Sequence, residues 1–448
     1  MKAIRGAPPP AGLLQQRQSQ FTTAAIDDRL TRRNSLVDAT EVLDSTVQVQ
    51  WEDGHTSHYD FIWLRANCPS FLHESGQREL FPGDVDPSLK PVEISTPESR
   101  MSLTWSDGHV SVYNVDWLRA HDNSPSALHE RDHGSWPIPL CAWDAIPKVE
   151  GAEYMKDDDA LYKALREVNR AGVCLVDNVG TGKGTVLDVA ARIGPVSHTM
   201  LYGTTWDVVA QVKPRNVAYS NVGLRLHQDL VYYESPPGLQ LLHCIEFDDD
   251  VIGGESTFLD AFAAAAHFRT EHPEMFEVLC RVPATFQKVR ASASQQEGDD
   301  RNASALSSAY LECQRPHFQV DSDGAIVAVT WAPPFEGVLT SAPNDVTPYY
   351  EAYRAFQNLI EEGSFAKEHT VRTRLRPGQC MVFNNRRLLH GRDAFSGSGS
   401  RMLRGCYINI DDAMSRLRTL HVDRPPSDDP LQNQLKRQGN GSLGLVAY

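Results

Sequence analysis

His227-Gln228-Asp229, answered far downstream by His390, is the stretch whose reading decides the fold. An imidazole and a carboxylate two residues apart on an extended segment project to the same side. A second imidazole brought in from a distant strand closes one triangular face around a metal. This is the 2-His-1-carboxylate set, which leaves positions open on Fe(II) for oxygenase chemistry. The chain has 16 histidines, so the pattern alone is weak. Its surroundings make it specific.

Working outward, Leu239-Gln240-Leu241-Leu242-His243-Cys244-Ile245 and Gln379-Cys380-Met381-Val382-Phe383 read as buried strands. Asp158 to Arg170 has helical periodicity, with Leu161, Leu165 and Val168 on one face, an acidic cap at Asp157 to Asp159, and Gly172 as its stop. Val173 to Val176 is a buried strand. Many short strands with a few helices predict a mainly β fold with helices, a jelly roll with helical buttresses. His390 follows the end of the strand at Phe383 after a short turn, which predicts a position at the rim of the roll. His243, in an apolar run, reads as a core histidine. Residues 290–309 are small and polar, as in a lid or a surface insertion.

Arg401 follows His390 on the next segment, and an Arg fork matches a carboxylate bidentately. Arg392 and Arg404 compete with it on composition. Gly253-Gly254-Glu255-Ser256-Thr257 reads as a turn into a strand, with hydroxyls able to reach the same carboxylate. Tyr202, Trp206, Tyr219 and Tyr407 flank the metal-binding segments, and aromatic faces attract quaternary ammonium groups.

Before this region lies an internal repeat. Trp51-Glu52-Asp53-Gly54-His55 precedes Trp63-Leu64-Arg65, and Trp105-Ser106-Asp107-Gly108-His109 precedes Trp117-Leu118-Arg119, at equal spacing. Asp-Gly between β-rich flanks signals hairpins. The expected organisation is a tail or linker at 1–45, a small N-terminal β domain at 46–130, a catalytic domain at 140–425 and a C-terminal tail at 426–448. The composition is that of a globular chain, with 41% hydrophobic and 23% charged residues. The net charge of −15 without a basic run argues against nucleic acid, and no apolar run is long enough to span a membrane. Eight scattered cysteines read as reduced core thiols. These features predict a cytoplasmic enzyme. The acid-free N-terminus, interrupted by Pro8-Pro9-Pro10, reads as a tail or as a mitochondrial transit peptide.

The chain resembles the γ-butyrobetaine and trimethyllysine dioxygenases, relatives of taurine dioxygenase. The resemblance rests on Trp63-Leu64-Arg65-Ala66-Asn67-Cys68-Pro69, Tyr202-Gly203-Thr204-Thr205-Trp206 and Asn216-Val217-Ala218-Tyr219. It continues through Pro236-Pro237-Gly238-Leu239-Gln240-Leu241-Leu242-His243-Cys244-Ile245, Arg387-Leu388-Leu389-His390-Gly391-Arg392 and Met414-Ser415-Arg416-Leu417-Arg418. It implies a double-stranded β-helix behind a small N-terminal domain, a homodimer, and an Fe(II)- and 2-oxoglutarate-dependent oxidation of a C–H bond. His227, Asp229 and His390 match the iron ligands, and Arg401 with Ser256 the 2-oxoglutarate site. Tyr202, Trp206, Tyr219 and Tyr407 match the cage for a trimethylammonium group, and Asn216 a residue near the substrate carboxylate.

Two departures stand out. Cys68 and His109 keep two of four family zinc positions, but Ser70 and His73 replace cysteines, so a zinc-free small domain is expected. Val329-Thr330-Trp331-Ala332-Pro333-Pro334-Phe335-Glu336 stands where related hydroxylases carry carboxylate-binding Asn residues. The expected enzyme acts on a small amino acid, betaine or related amine, by hydroxylation, desaturation or cyclisation, with O2 as co-substrate. The alternatives are a γ-butyrobetaine hydroxylase proper, or a non-catalytic binding protein on the same scaffold.

Overall fold

The computed structural model describes residues 37–73, 75–97, 99–125, 127, 146–209, 221–290, 308–322 and 324–422. The expectations placed on Asn216, Tyr219, residues 291–307 and the two termini fall outside them. Two compact units are parted near Ser135.

In the first unit the repeat is built twice. β1 (Val37–Val42), β2 (Thr46–Trp51) and β3 (Thr56–Asp60) form one antiparallel sheet, followed by the helix Phe61–Ala66. β4 (Pro91–Ser95), β5 (Arg100–Trp105) and β6 (Val110–Asn114) form the other, followed by the helix Val115–Ala120. Val47, Val49 and Trp51 alternate inward on β2, as Met101, Leu103 and Trp105 do on β5, and together they make one core. Each half is therefore three strands and a helix, more than the hairpin expected. β1 also starts the unit before residue 46. It is an edge strand whose Asp38, Ala39, Glu41 and Val42 are exposed, so it lacks the apolar alternation by which strands are recognised.

The two halves hold each other by reciprocal bonds. Tyr59 donates to the Leu118 carbonyl (2.7 Å), and its mate Tyr113 donates to the Leu64 carbonyl (2.5 Å). Arg65 reaches Asp107 (3.2 Å), and Arg119 reaches Asp53 (3.0 Å). Trp51 donates to Ser57 and Trp105 to Ser111, at 2.8 and 2.9 Å. One matched pair has diverged in chemistry. His109 Nε2 lies 3.3 Å from the Cys68 thiol, whereas His55 Nε2 lies 2.5 Å from the Asp122 carboxylate. Ser70 joins Cys68 at 3.2 Å as Ser124 joins Asp122 at 2.9 Å. His73 turns into its own loop and bonds Ser75 at 2.9 Å. The zinc positions thus bring together one thiol, one imidazole and a hydroxyl, which does not fit a four-ligand structural zinc site.

The second unit is mainly β with helices. Its strands are β7 (Lys148–Glu150), β8 (Val173–Asp177), β9 (Trp206–Val209), β10 (Leu224–His227), β11 (Leu239–Phe247), β12 (Ile252–Gly253), β13 (Ser256–Asp260) and β14 (Ala284–Arg290). They continue with β15 (Ala309–Arg315), β16 (Phe318–Val320), β17 (Ile326–Val329), β18 (Val371–Thr373), β19 (Cys380–Asn384), β20 (Leu388–Arg392), β21 (Phe395–Ser396) and β22 (Arg401–Ile408). One sheet runs β7-β8-β19-β11-β22-β9 and the other β10-β20-β13-β18. Leu175, Leu242, Phe383 and Leu403 of the first bury one cluster with Phe258, Val371 and Leu388 of the second. Phe258 meets Phe383 edge-on at 5.2 Å, so the two sheets pack face to face.

The helix Asp158–Ala171 begins with the Asp157 side chain accepting from the Asp159 amide and ends at Gly172, whose φ of +80° suits glycine. No helix among the described residues is long and apolar enough to cross a membrane. His243 is buried, with Nε2 2.7 Å from the Gly180 carbonyl.

Candidate metal centre

β10 and β20 lie side by side, with His227 directly opposite His390. The position of His390 differs from the sequence expectation. The turn after β19 ends at Arg387, and His390 sits in mid-strand, flanked by His227 of β10 and Phe258 of β13. Every side chain of β20 is buried, because both faces of this strand are covered, so it offers no polar alternation to mark it.

Asp229 reaches the same side by a different route from the one expected. The strand ends at His227, and Leu230 takes a φ of +59°, rare for a branched side chain. That turn is bracketed by Asn385, whose amide group accepts from the Asp229 amide (2.9 Å) and donates to the Asp229 carbonyl (3.0 Å). Gln228 points away and exchanges two bonds with Trp331, at 2.9 and 3.0 Å. One candidate ligand atom from each of His227, Asp229 and His390 lies within 4.8 Å of the others. The two imidazoles are 4.5 Å apart, with His227 Nε2 3.4 Å and His390 Nε2 3.7 Å from the Asp229 carboxylate. His227 Nδ1 lies 2.8 Å from the Arg225 carbonyl, a bond that fixes the Nε2 lone pair toward the carboxylate.

The electrostatics suit a cation. Burial alone would raise the Asp229 pKa, but the His227 hydrogen bond, the nearby histidines and the Tyr407 hydroxyl together hold it well below the carboxylate range. Burial, with His227 beside it, pushes His390 down to about 3. For His227, burial is outweighed by the Asp229 bond and charge, and its pKa rises. An ionised carboxylate beside a neutral imidazole is what a divalent metal requires of its ligands. Two imidazoles and one carboxylate fit iron.

Tyr407 does more than line an aromatic wall. Its hydroxyl donates to Asp229 Oδ2 at 2.7 Å while its ring stacks on Trp206 at 4.0 Å. Gly405 makes room for that indole, since a Cβ there would stand 2.4 Å from Trp206 Cζ2. Tyr202 is 6.3 Å from Trp206. Phe335, from the 330s segment, packs edge-on to His227 at 6.3 Å and to Tyr232 at 5.1 Å. Asn385 and Phe335 thus join the expected residues, and Tyr407, expected for its ring, gains a second contact through its hydroxyl. Only the Asn384-Asn385 pair ahead of a turn signals any of this in the sequence.

Arg401 starts β22 and is buried, its Nη2 donating to the Gly254 carbonyl at 3.1 Å. Gly254 can present that carbonyl because its φ is +80°, and a Cβ there would lie 3.1 Å from Arg401 Nε. Among the described residues Arg401 Nε has no hydrogen-bond partner, and Phe247 and Phe395 face the guanidinium at 5.1 and 5.5 Å. Burial, with Arg392 nearby, lowers its pKa to about 10. An orphaned buried N–H on a desolvated cation fits a carboxylate ligand. Arg404 is engaged elsewhere, in a bidentate pair with Asp207 at 2.5 and 2.7 Å. Arg392 is opposite Ser256 across the β20–β13 ladder and donates to the Val222 carbonyl at 2.7 Å.

Known proteins share this arrangement of sequence. Residues 137–407 match the model of the taurine catabolism dioxygenase TauD, TfdA family, and residues 40–130 match the γ-butyrobetaine hydroxylase-like N-terminal family. A γ-butyrobetaine dioxygenase of Pseudomonas sp. (strain AK-1) is 32% identical over 386 residues, 84% of this chain and 94% of the relative. The dioxygenase str8 of Strobilurus tenacellus is 31% identical, over 81% of this chain and 85% of the relative. A trimethyllysine dioxygenase of Meyerozyma guilliermondii is 26% identical, over 90% of this chain and all of the relative. A family match over more than half the chain, joined to that first identity over nearly the whole relative, makes this protein a member of the TauD, TfdA family of dioxygenases and an oxidoreductase.

Proposed function

We propose that this enzyme uses Fe(II) and 2-oxoglutarate to oxidise an unactivated C–H bond of a small amine, betaine or amino acid, releasing succinate and CO2. The observation that carries the reading is the His227, Asp229 and His390 cluster, with its atoms within 4.8 Å of one another. The buried, partly unpartnered Arg401 supports the co-substrate. We read the two packed sheets as the double-stranded β-helix and residues 140–425, which overlap the family match at 137–407, as the catalytic domain.

Iron with 2-oxoglutarate supplies the oxidising power when bound. His227, Asp229 and His390 would hold the metal, with their ligand atoms within 4.8 Å of one another. Tyr407 and Asn385 fix Asp229, and the Arg225 carbonyl fixes His227, so the ligands arrive preorganised. His390 and Arg392 project to one face of β20 about 7 Å apart at ordinary strand rise. Arg392 is opposite Ser256, and the buried Arg401, with Ser256, would hold the distal carboxylate of the co-substrate. No triad residue has to act as an acid or base. Tyr202, Trp206 and Tyr407 offer ring faces to the cationic end of the substrate, and Phe335 helps to exclude water.

The test is succinate formation by the iron-loaded protein with 2-oxoglutarate and O2 across a panel of betaines and amino acids. One compound raises the rate, and His227→Ala abolishes that rise, as loss of a metal ligand requires. Equal succinate from the His227→Ala protein would refute the reading.

A further inference from the structure

β14 carries a group that the chemistry above leaves unused. Phe286, Lys288 and Arg290 alternate along this strand and so share one face. Phe286 is fully buried in the core that also holds Phe335, Tyr232 and Tyr407, which makes this the inner face. The Lys288 ammonium lies 5.5 Å from the centre of the Phe335 ring, and that ring packs on His227. Arg290 donates to the carbonyl of Leu201, next to Tyr202, at 3.2 Å. The inner face of β14 therefore passes from Phe335 toward the aromatic group and brings Lys288 to the edge of the metal centre.

Among the described residues Lys288 has no hydrogen-bond or ion-pair partner, and burial, with no counter-charge to oppose it, lowers its pKa. Its stem is partly buried and its ammonium lies over an aromatic ring, free to meet an anion. Tyr202, Trp206 and Tyr407 form the aromatic group that Arg290 approaches through Leu201. A site that holds both aromatic rings and a lone ammonium suits a molecule that is cationic at one end and anionic at the other.

We propose that Lys288 determines substrate specificity by binding the anionic end of the substrate, a carboxylate, while the aromatic wall takes the cationic end. This rests on the amine-oxidising function proposed above. A charge-assisted hydrogen bond at a site shielded from water favours a carboxylate over an uncharged amide by about ten- to a hundredfold.

The test uses the full-length protein, loaded anaerobically with Fe(II) and 2-oxoglutarate, and three probes. These are γ-butyrobetaine, its primary amide and hexanoate, titrated by calorimetry into wild type, Lys288→Met and Lys288→Arg. Protection of Lys288 from acetylation is read in parallel by mass spectrometry, and melting curves establish that each variant is folded. The proposal expects wild type to bind γ-butyrobetaine at least tenfold tighter than the amide. Lys288→Met erases the difference, Lys288→Arg restores most of it, and the carboxylate protects Lys288 where the amide does not. A difference that persists in Lys288→Met, or that is missing in wild type, overturns the proposal. Hexanoate separates it from the reading beneath it. If hexanoate binds as tightly as γ-butyrobetaine and with the same dependence on Lys288, the lysine assignment stands and the amine preference falls. If both trimethylammonium probes bind more tightly than hexanoate, and equally in all three proteins, the amine preference stands and the lysine assignment falls.

Discussion

The small N-terminal unit and the metal centre treat their polar groups in opposite ways. In the small unit, bonds come in reciprocal pairs. Tyr59 and Tyr113 each reach the other half's helix, and Arg65 and Arg119 each reach the other half's turn. Even the diverged pair, His55 with Asp122 and His109 with Cys68, satisfies itself. At the metal centre, the interactions run inward and stop short. Among the described residues His390 Nδ1 and Arg401 Nε are buried without partners, and Lys288 faces a ring instead of a carboxylate. Duplication gives the first region a symmetric set of bonds whose product is stability, with Arg65 Nε and Nη1 left over, among the described residues, against the Phe71 ring. The second holds donors and charges in place for groups that arrive from outside, which costs stability and supplies function.

That contrast can be strained at several points. The largest effect on stability is expected at Glu336, beside the metal-centre segment. Burial raises its pKa to about 7, against which it has one hydrogen bond, from Tyr353 at 2.9 Å. A carboxyl whose folded pKa is raised binds more protons when folded than when unfolded. Its contribution is therefore fully present below about pH 4.5 and is lost as the pH rises through about 7. The loss is on the order of 3 kcal/mol. Chemical denaturation between pH 5 and 8 is expected to show a decline in wild type that flattens in Glu336→Gln. A wild-type stability that rises across this range would contradict the assignment.

Tyr407→Phe leaves the ring stacked on Trp206 and removes only the hydroxyl from Asp229. Iron affinity is expected to fall about ten- to a hundredfold, as for loss of a hydrogen bond to a ligand, with the melting temperature little moved. Competition with a metal-sensitive chelator measures it, and an unchanged affinity would place the hydroxyl outside the ligand set.

The smallest effect belongs to the small unit. Tyr59→Phe and Tyr113→Phe each remove one of two hydrogen bonds to a buried carbonyl, which keeps the amide of His121 or Asn67 as a donor, and are expected to cost about 1 kcal/mol. Because the mates are equivalent, the two losses should agree. Urea unfolding of both variants checks this, and a cost confined to one of them would show that the reciprocity is geometric and not energetic.

The parts legible in the sequence were those with local signals. The Trp-x-Asp-Gly-His repeat shows itself by identical strings at identical spacing, and the helix Asp158–Ala171 by its cap, period and terminal glycine. The cluster of His227, Asp229 and His390 is marked by residue type. The positioning residues are not marked in this way. Asn385 grips the backbone of Asp229, and Phe335 covers His227, only because strands remote in sequence have packed. His390 was expected at a rim and lies in mid-strand, since an all-buried strand such as β20 carries no alternation to place its ends. β1 went unread for the converse reason, being an edge strand with little to bury.

The central claim is that His227, Asp229 and His390 form an iron site to which 2-oxoglutarate adds. Anaerobic titration with Fe(II), then 2-oxoglutarate, tests it most directly, reading bound iron per chain and the visible charge-transfer absorbance in wild type and His227→Ala. The account predicts one iron per chain, an absorbance band that appears only when 2-oxoglutarate is added, and loss of both in the variant. Wild-type protein that takes up no iron, or a band of equal strength in His227→Ala, would contradict it.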